Sequence, residues 1–156
     1  MIEILLQSGM RIGELSRLKR SNINAKLTHI NIEAYSSYPP RTIEINPALK
    51  VALSNYLHHK LVISCESKYV FFTRNGDKVL IRNIRSSIDS AFKATGIKDT
   101  KVNDLRNTFI VFQLEAGMRL DKLAQTLGHK RQSTTEYYLE FIETRPQKTI
   151  TSITSL

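Results

Sequence analysis

With 156 residues, 41% of them hydrophobic, the chain has the size and composition of one folded domain with its own core. Its 23 Lys+Arg against 14 Asp+Glu give a formal net charge of +9, which favours nucleic acid as a partner. The single cysteine, Cys65, excludes an internal disulfide framework, and no apolar run of about 18 residues is present for a membrane helix. These properties predict a cytoplasmic protein with no membrane partner.

The first third of the chain predicts two short helices followed by a β-hairpin. Apolar residues at helical spacing indicate helices over Ile2–Leu6 and Ile12–Leu18, interrupted by Gly9. The alternating segments Thr28–Ala34 and Arg41–Asn46 predict two antiparallel strands, joined by the turn-rich tip Y-S-S-Y-P-P. Because an amphipathic helix begins at residue 1 without a preceding cap, we expect the chain to be part of a longer protein.

The remainder is predicted to be mainly helical. Asn46 and Pro47 have the residue types of an N-cap and a first helical residue. Val70–Thr73, the turn Asn75-Gly76 and Val79-Leu80 predict a short hairpin or a third strand. Three apolar stripes predict further helices: Ile84, Ile88, Ala91 and Phe92; Leu105, Phe109 and Phe112; and Leu120, Leu123, Ala124 and Leu127. The capping-box sequence Ser133–Glu136 predicts the start of a last helix. The fold class expected is α+β, mainly α, with a small three-stranded antiparallel sheet in a single domain, residues 1–156.

Four residues have side chains that suit reaction at a phosphodiester. Arg11 lies in G-M-R-I-G-E-L, Arg106 in N-D-L-R, His129 in L-G-H and Tyr138 in T-T-E-Y-Y. Guanidinium groups can hold phosphate oxygens in a fixed plane, a histidine can bond an oxygen or handle a proton, and a tyrosine can act as nucleophile. These residue types predict transfer of a phosphodiester without a metal or a cofactor.

From about Leu5 to Phe141, the sequence resembles the catalytic domain of the tyrosine recombinases, the phage-integrase family. G-M-R-I-G-E-L is similar to the first-arginine motif of that family, and N-D-L-R-N-T-F resembles its second-arginine box, usually H-x-x-R. L-G-H-K-R-Q-S-T-T-E-Y-Y resembles the box in which a tyrosine follows a histidine by nine residues. The resemblance implies a helical integrase-type catalytic domain that cuts and rejoins DNA strands.

Carried over to this sequence, the resemblance implies a role for each of the four residues. Arg11 and Arg106 would clamp the phosphate, and His129 would bond a non-bridging oxygen or relay a proton. Tyr138 would be the nucleophile that forms a 3′-phosphotyrosyl bond and frees a 5′-hydroxyl. Tyr137 is expected to pack, because adjacent helical residues diverge by about 100°.

Two positions depart from the family pattern. Asn103 stands where the first histidine is usual, and asparagine can hydrogen-bond an oxygen but cannot shuttle a proton. Ser36 aligns with the hairpin position that usually carries a general-acid lysine. Either Lys130, Lys26 or Lys19 replaces that lysine, or the domain is slow or defective, since general acid–base help is worth about 10²–10⁴-fold in rate.

The resemblance also implies the partners. They are double-stranded DNA, for which Arg41, Lys130 and Arg131 are the expected contacts, and further copies of the protein, four of which would assemble on two DNA sites. A C-terminal tail from about residue 142, within the segment Glu140–Leu156, is expected to pack into a neighbouring protomer. The implied location is cytoplasmic and nucleoid-associated.

Three other functions remain open from the sequence. A type IB topoisomerase would use related chemistry to relax supercoils without a paired site. A DNA-binding protein with a decayed recombinase centre would explain Asn103 and Ser36. A metal-dependent nuclease is less favoured, because the aspartates are scattered without a paired-carboxylate motif.

Overall fold

The computed structural model describes residues 1–129 and 133–143. Its elements are α1 (Ile2–Ser8), α2 (Ile12–Arg17), a 3-10 turn (Arg20–Asn22), β1 (His29–Ile32), β2 (Arg41–Glu44), α3 (Pro47–Leu57), α4 (Lys60–Ile63), α5 (Ile81–Ala94), α6 (Val102–Glu115), α7 (Leu120–Leu127) and α8 (Ser133–Glu143). This is a mainly helical α+β fold, as the sequence predicts. From residue 144 onward the predicted C-terminal tail lies outside the described residues.

The two strands form the predicted β-hairpin. They pair antiparallel, with His29 opposite Glu44 and Ile30 opposite Ile43. Ile30 and Ile43 are buried while their strand neighbours face outward, which is the alternation that a half-buried strand requires. The tip is closed by two backbone hydrogen bonds of 3.1 and 3.0 Å between Tyr35 and Tyr38. The tip therefore has a defined position at the end of the sheet.

The predicted third strand at Val70–Thr73 is wrong, because the sheet in the described residues has two strands. Near this segment isolated bridges form, between Lys19 and Tyr69 and between Phe72 and Lys78. Val70 and Phe71 are buried in the core. The apolar run is thus buried, but it serves side-chain packing and not a ladder.

The helices pack around two groups of buried side chains. The larger joins α1, α2, the hairpin, α3 and α5, and the smaller consists of Phe109, Ile110, Leu123 and Leu127 on α6 and α7. The predicted core position of Phe112 is wrong, since that side chain is 54% exposed. Successive helical residues point about 100° apart, and the face of α6 that carries Ile110 is the one that packs inward.

The predicted start of α3 is confirmed, and a glycine ends α7. The Asn46 side chain accepts a 2.8 Å hydrogen bond from the Leu49 amide and so caps α3, whose first residue is Pro47. Gly128 ends α7 in the left-handed conformation, at φ +62°, which suits a residue without Cβ. Within the described ranges, no helix combines the length and the apolar character that crossing a bilayer requires.

Candidate active site

A cavity of about 460 Å³ lies between α2, α6, α8 and the hairpin tip, a size typical of ligand sites. The polar side chains in its wall include Arg11, Glu14, Arg17, Asn103, Arg106 and Tyr138. His129 is adjacent to this wall, because its Nε2 atom is 3.0 Å from Nη2 of Arg106. The structure therefore brings together the four residues that the sequence singled out, and Asn103 with them.

The two arginines meet at the C-terminal end of α7. Arg11 donates through Nη1 to the Leu127 carbonyl oxygen at 3.0 Å and through Nη2 to that of Gly128 at 3.2 Å. Arg106 donates through Nη2 to the same Leu127 oxygen at 2.9 Å. The last carbonyls of a helix have no intrahelical partner and carry the negative end of its dipole. One backbone oxygen thus holds both guanidiniums against their mutual repulsion.

Arg106 is the more constrained of the two arginines. It also donates to the carbonyl oxygen of Gly9. Burial first, and then the charge of Arg11, lower the pKa of Arg106 to about 9. The group is still protonated at neutral pH, and a phosphate between the two guanidiniums would relieve the repulsion that lowers its pKa.

A buried ion pair between Arg41 and Glu14 helps to hold Arg11 in place. Arg41 donates through Nη1 and Nη2 to the two carboxylate oxygens of Glu14, both at 2.7 Å, and both side chains are less than 10% exposed, at 6% and 7%. Glu14 also accepts from the Arg11 amide at 2.7 Å and from its Nη1 at 3.3 Å. Burial raises the pKa of Glu14, but the bonds and charge of Arg41, followed by Arg11, outweigh this and leave that pKa lowered. The carboxylate is therefore ionised and fixes the start of α2.

Arg41, one of the expected DNA contacts, bonds to the protein through its guanidinium. Its Nε donates to the Thr126 carbonyl oxygen at 2.6 Å, so each of its three nitrogens has a protein partner. Sequence reasoning missed Glu14, although its position three residues after Arg11 on a helix was a usable signal. The other two expected DNA contacts, Lys130 and Arg131, lie outside the described residues.

The hydrogen bonds of His129 define its tautomer. A guanidinium can only donate, so the 3.0 Å contact with Arg106 makes Nε2 the acceptor. The proton of the neutral ring then lies on Nδ1, which donates to Oγ1 of the buried Thr135 at 2.8 Å. Burial first, then the charges of Arg106, Arg11 and Arg41, lower the pKa of His129 to about 4. Without an anion in the cavity, the ring is neutral at pH 7.

This lowered pKa predicts how stability depends on pH. Since the unfolded ring has a pKa near 6.5 and the folded ring near 4, the unfolded state binds more protons between these values. The free energy of unfolding is expected to fall as pH drops through this window, and the fall should be shallower in His129→Gln. Urea denaturation of both proteins at pH 7.0 and at about pH 5 measures it. Parallel losses in the two proteins would contradict the assignment.

Tyr138 is held by the residue next to Arg106. Its hydroxyl donates to Oδ1 of Asn107 at 2.9 Å, and Nδ2 of Asn107 donates to Asp104 at 3.3 Å. Burial raises the pKa of Tyr138 more than the charge of Arg106 lowers it. An amide cannot remove a proton, so the phenol is held in place but not activated. Tyr137, whose ring lies edge-on to that of Tyr138 at 5.8 Å, is 66% exposed and outside the cavity wall.

The hairpin tip supplies no lysine to this cavity. Ser36 lies at the tip with φ +54°, between two tyrosines that line the cavity. Lys19 is paired with Glu33 at 2.8 Å, and neither Lys19 nor Lys26 is among the described residues of the cavity wall. In the described ranges, no group of three or more His, Cys, Asp or Glu side chains is placed to hold a metal ion.

A helical domain with a small hairpin, two arginines and a histidine at one cavity, and a tyrosine on a following helix is typical of integrase-type recombinases. The chain belongs to the phage integrase family, whose family model, described as "Phage integrase family", matches residues 1–144.

Individual relatives agree with this assignment. The tyrosine recombinase XerC of Leptospira interrogans is 28% identical over 140 residues, which are 89% of this chain and 45% of that protein. The crystal structure of XerA recombinase superimposes with a TM-score of 0.78 at 25% identity and covers 93% of this chain and 55% of that one. A lambda integrase dimer bound to a COC′ core site shares the fold, with a TM-score of 0.73 at 17% identity over 97% of this chain and 54% of that one. The chain spans about half the length of the curated relatives it matches. None of these matches favours a topoisomerase.

Proposed function

We propose that this chain is the catalytic domain of a site-specific DNA recombinase or integrase that cuts and rejoins strands through a 3′-phosphotyrosyl intermediate. The observation that carries the proposal is the meeting of Arg11 and Arg106 on one backbone oxygen, beside a cavity that also contains the Tyr138 side chain. Two fixed guanidiniums stabilise the charge of a five-coordinate phosphorus in a way that no neutral pair could. Residues 1–156 are taken as a single domain.

The proposed step begins when a DNA phosphate enters the cavity. The free N–H groups of Arg11 and Arg106 bind its non-bridging oxygens, and Asn103 donates a further hydrogen bond. The anion offsets the cationic charge that lowers the pKa of His129, so Nε2 of the ring can take up a proton from water and exchange its bond from Arg106 for one donated to a non-bridging oxygen. The Tyr138 oxygen gives its proton to water, leaves Asn107 and bonds to phosphorus. The bond to the 5′ oxygen breaks, its electron pair stays on that oxygen, and a proton from water converts it to a hydroxyl.

Double-stranded DNA is the proposed partner, consistent with the charge of +9. Among the neighbours in fold, lambda integrase is a dimer bound to a core site. For the full-length protein we propose a tetramer on two DNA sites, metal-independent chemistry and a cytoplasmic, nucleoid-associated location. The expected DNA contacts of Lys130 and Arg131 and the exchange of the tail remain part of this proposal.

The test selects the DNA duplexes to which the chain becomes covalently bound, and sequencing them identifies the target site. The chain is incubated with duplexes of randomised sequence that carry a nick. Because of the nick, cleavage releases a short fragment that diffuses away, so the cut strand is not rejoined. The DNA that stays bound to the protein in denaturant is then sequenced. We expect a denaturant-resistant adduct, enriched in one sequence and formed equally with a chelator present. DNA cleavage that leaves no adduct and disappears with the chelator would point to a metal-dependent nuclease. DNA retained only under native conditions would point to a decayed recombinase that binds without reacting.

A further inference from the structure

The hairpin tip places two tyrosine rings over two arginines of α2. Cζ of Arg17 lies 3.5 Å from the ring centroid of Tyr35, and Cζ of Arg11 lies 4.1 Å from that of Tyr38. Both distances are well within the range of a cation–π contact. Arg11 directly precedes α2 and Arg17 is its last residue, so five residues lie between them. All four side chains of the two stacked pairs line the cavity.

Arg17 differs from Arg11 in its polar partners. Arg11 donates to the carbonyl oxygens of Leu127 and Gly128 and to Glu14. Among the side chains that the structure describes, those of residues 1–59, 62–129 and 134–139, no hydrogen bond or ion pair engages the guanidinium of Arg17, whose contact is the ring of Tyr35. The nearby carboxylate of Glu14 is already occupied by other arginines. The guanidinium of Arg17 is thus held by the Tyr35 ring, and its N–H groups have no acceptor among the described side chains.

The geometry of stacking leaves these donors available. A guanidinium carries its five N–H groups in its plane, whereas an aromatic ring covers one face of that plane. Tyr35 therefore fixes the orientation of Arg17 without using a donor. A guanidinium of fixed orientation is suited to the oxygens of a phosphate.

We propose that Arg17, oriented by Tyr35, binds a second backbone phosphate of the DNA strand whose reacting phosphate lies between Arg11 and Arg106. This proposal rests on the proposed function, since it takes the cavity to be the seat of the reacting phosphate. Arg17 positions the strand and takes no part in the reaction.

The test is the salt dependence of DNA binding, measured by fluorescence anisotropy with a labelled duplex at several salt concentrations. Removal of one phosphate contact is expected to reduce the slope of log K against log[salt] by about 0.9 in Arg17→Gln. Between about 50 and 200 mM salt, the affinity of this variant should then change about 3.5-fold less than that of the unmodified chain. Arg119→Gln is the matched control: it removes the same charge from a side chain outside the cavity that is 84% exposed and paired with Asp121.

A second pair of variants tests the role of the ring without removing a charge. Tyr35→Phe keeps an aromatic face over Arg17 and Tyr35→Leu does not, so the Phe variant should bind DNA at least twofold more tightly. Equal slopes for Arg17→Gln and Arg119→Gln, or equal affinities for the two Tyr35 variants, would overturn the Arg17 site and leave the proposed function intact. Absence of any salt-dependent binding by the unmodified chain would overturn both.

Discussion

Tyr138→Phe is expected to form no covalent adduct with DNA, whereas Tyr137→Phe forms one at close to the unmodified rate. Phenylalanine has no oxygen to bond to phosphorus, so the loss is complete and not a matter of degree. Tyr138 lines the cavity and its hydroxyl reaches Asn107, while Tyr137 is 66% exposed. The measurement is a denaturing gel of the nicked duplex after incubation with each variant.

Tyr137→Phe is the matched control for Tyr138→Phe, because it removes the same hydroxyl group from the adjacent residue. Tyr138→Phe loses one hydrogen bond, worth about 1 kcal/mol, and keeps the ring that packs against the small core, so the variant should fold and bind DNA. Anisotropy titrations under native conditions check this. An adduct that survives in Tyr138→Phe and disappears in Tyr137→Phe would show that the nucleophile is the other tyrosine.

Glu14→Gln is expected to lower the free energy of unfolding by about 3–5 kcal/mol, the range found when one partner of a buried ion pair is removed. Arg41 would keep its charge at 6% exposure without a carboxylate opposite it. Glutamine has the same shape, so the loss would come from charge and not from a cavity. Urea denaturation measures the change.

The matched control for that substitution is Glu33→Gln. Glu33 also pairs with a cation, at 2.8 Å from Nζ of Lys19, but the two side chains are 56% and 35% exposed. Exposed ion pairs contribute about 0–1 kcal/mol, so this variant should be nearly as stable as the unmodified chain. Equal losses in the two variants would mean that the Glu14–Arg41 pair contributes no more than a surface contact, and Arg11 would then need another explanation for its position.

The sequence predicted correctly those parts of the fold that depend on residues close together along the chain. The alternation around Ile30 and Ile43 and the cap at Asn46 depend on residues close in sequence, and both are confirmed. The third strand at Val70–Thr73 is wrong, because an apolar run signals burial but not the partner against which it is buried. Phe112 is misplaced for the same reason: helical spacing allows two adjacent faces, and packing selects one.

In the candidate site too, the sequence predicts residue types but not the contacts that depend on packing. The residue types of Arg106 and Tyr138 could be read from motifs, and the structure places both at one cavity. The contact of Arg41 with Glu14 joins a strand to a helix, so it depends on how these elements pack and could not be read from spacing. A basic residue near a hairpin tip is compatible with either DNA or a buried carboxylate, and the sequence alone does not distinguish them.

The three arginines of the site share hydrogen-bond acceptors that no side-chain substitution can remove, because the acceptors are main-chain oxygens. Arg41, Arg11 and Arg106 all donate to main-chain oxygens of residues 126–128, where α7 ends. Alanine substitution at these positions would leave every acceptor oxygen present, so its effects at Leu127 and Gly128 would come from lost packing and from backbone strain and not from a lost acceptor. The position of these acceptors is set by the place at which α7 stops, so an insertion or deletion of one residue within that helix would displace all three cations together.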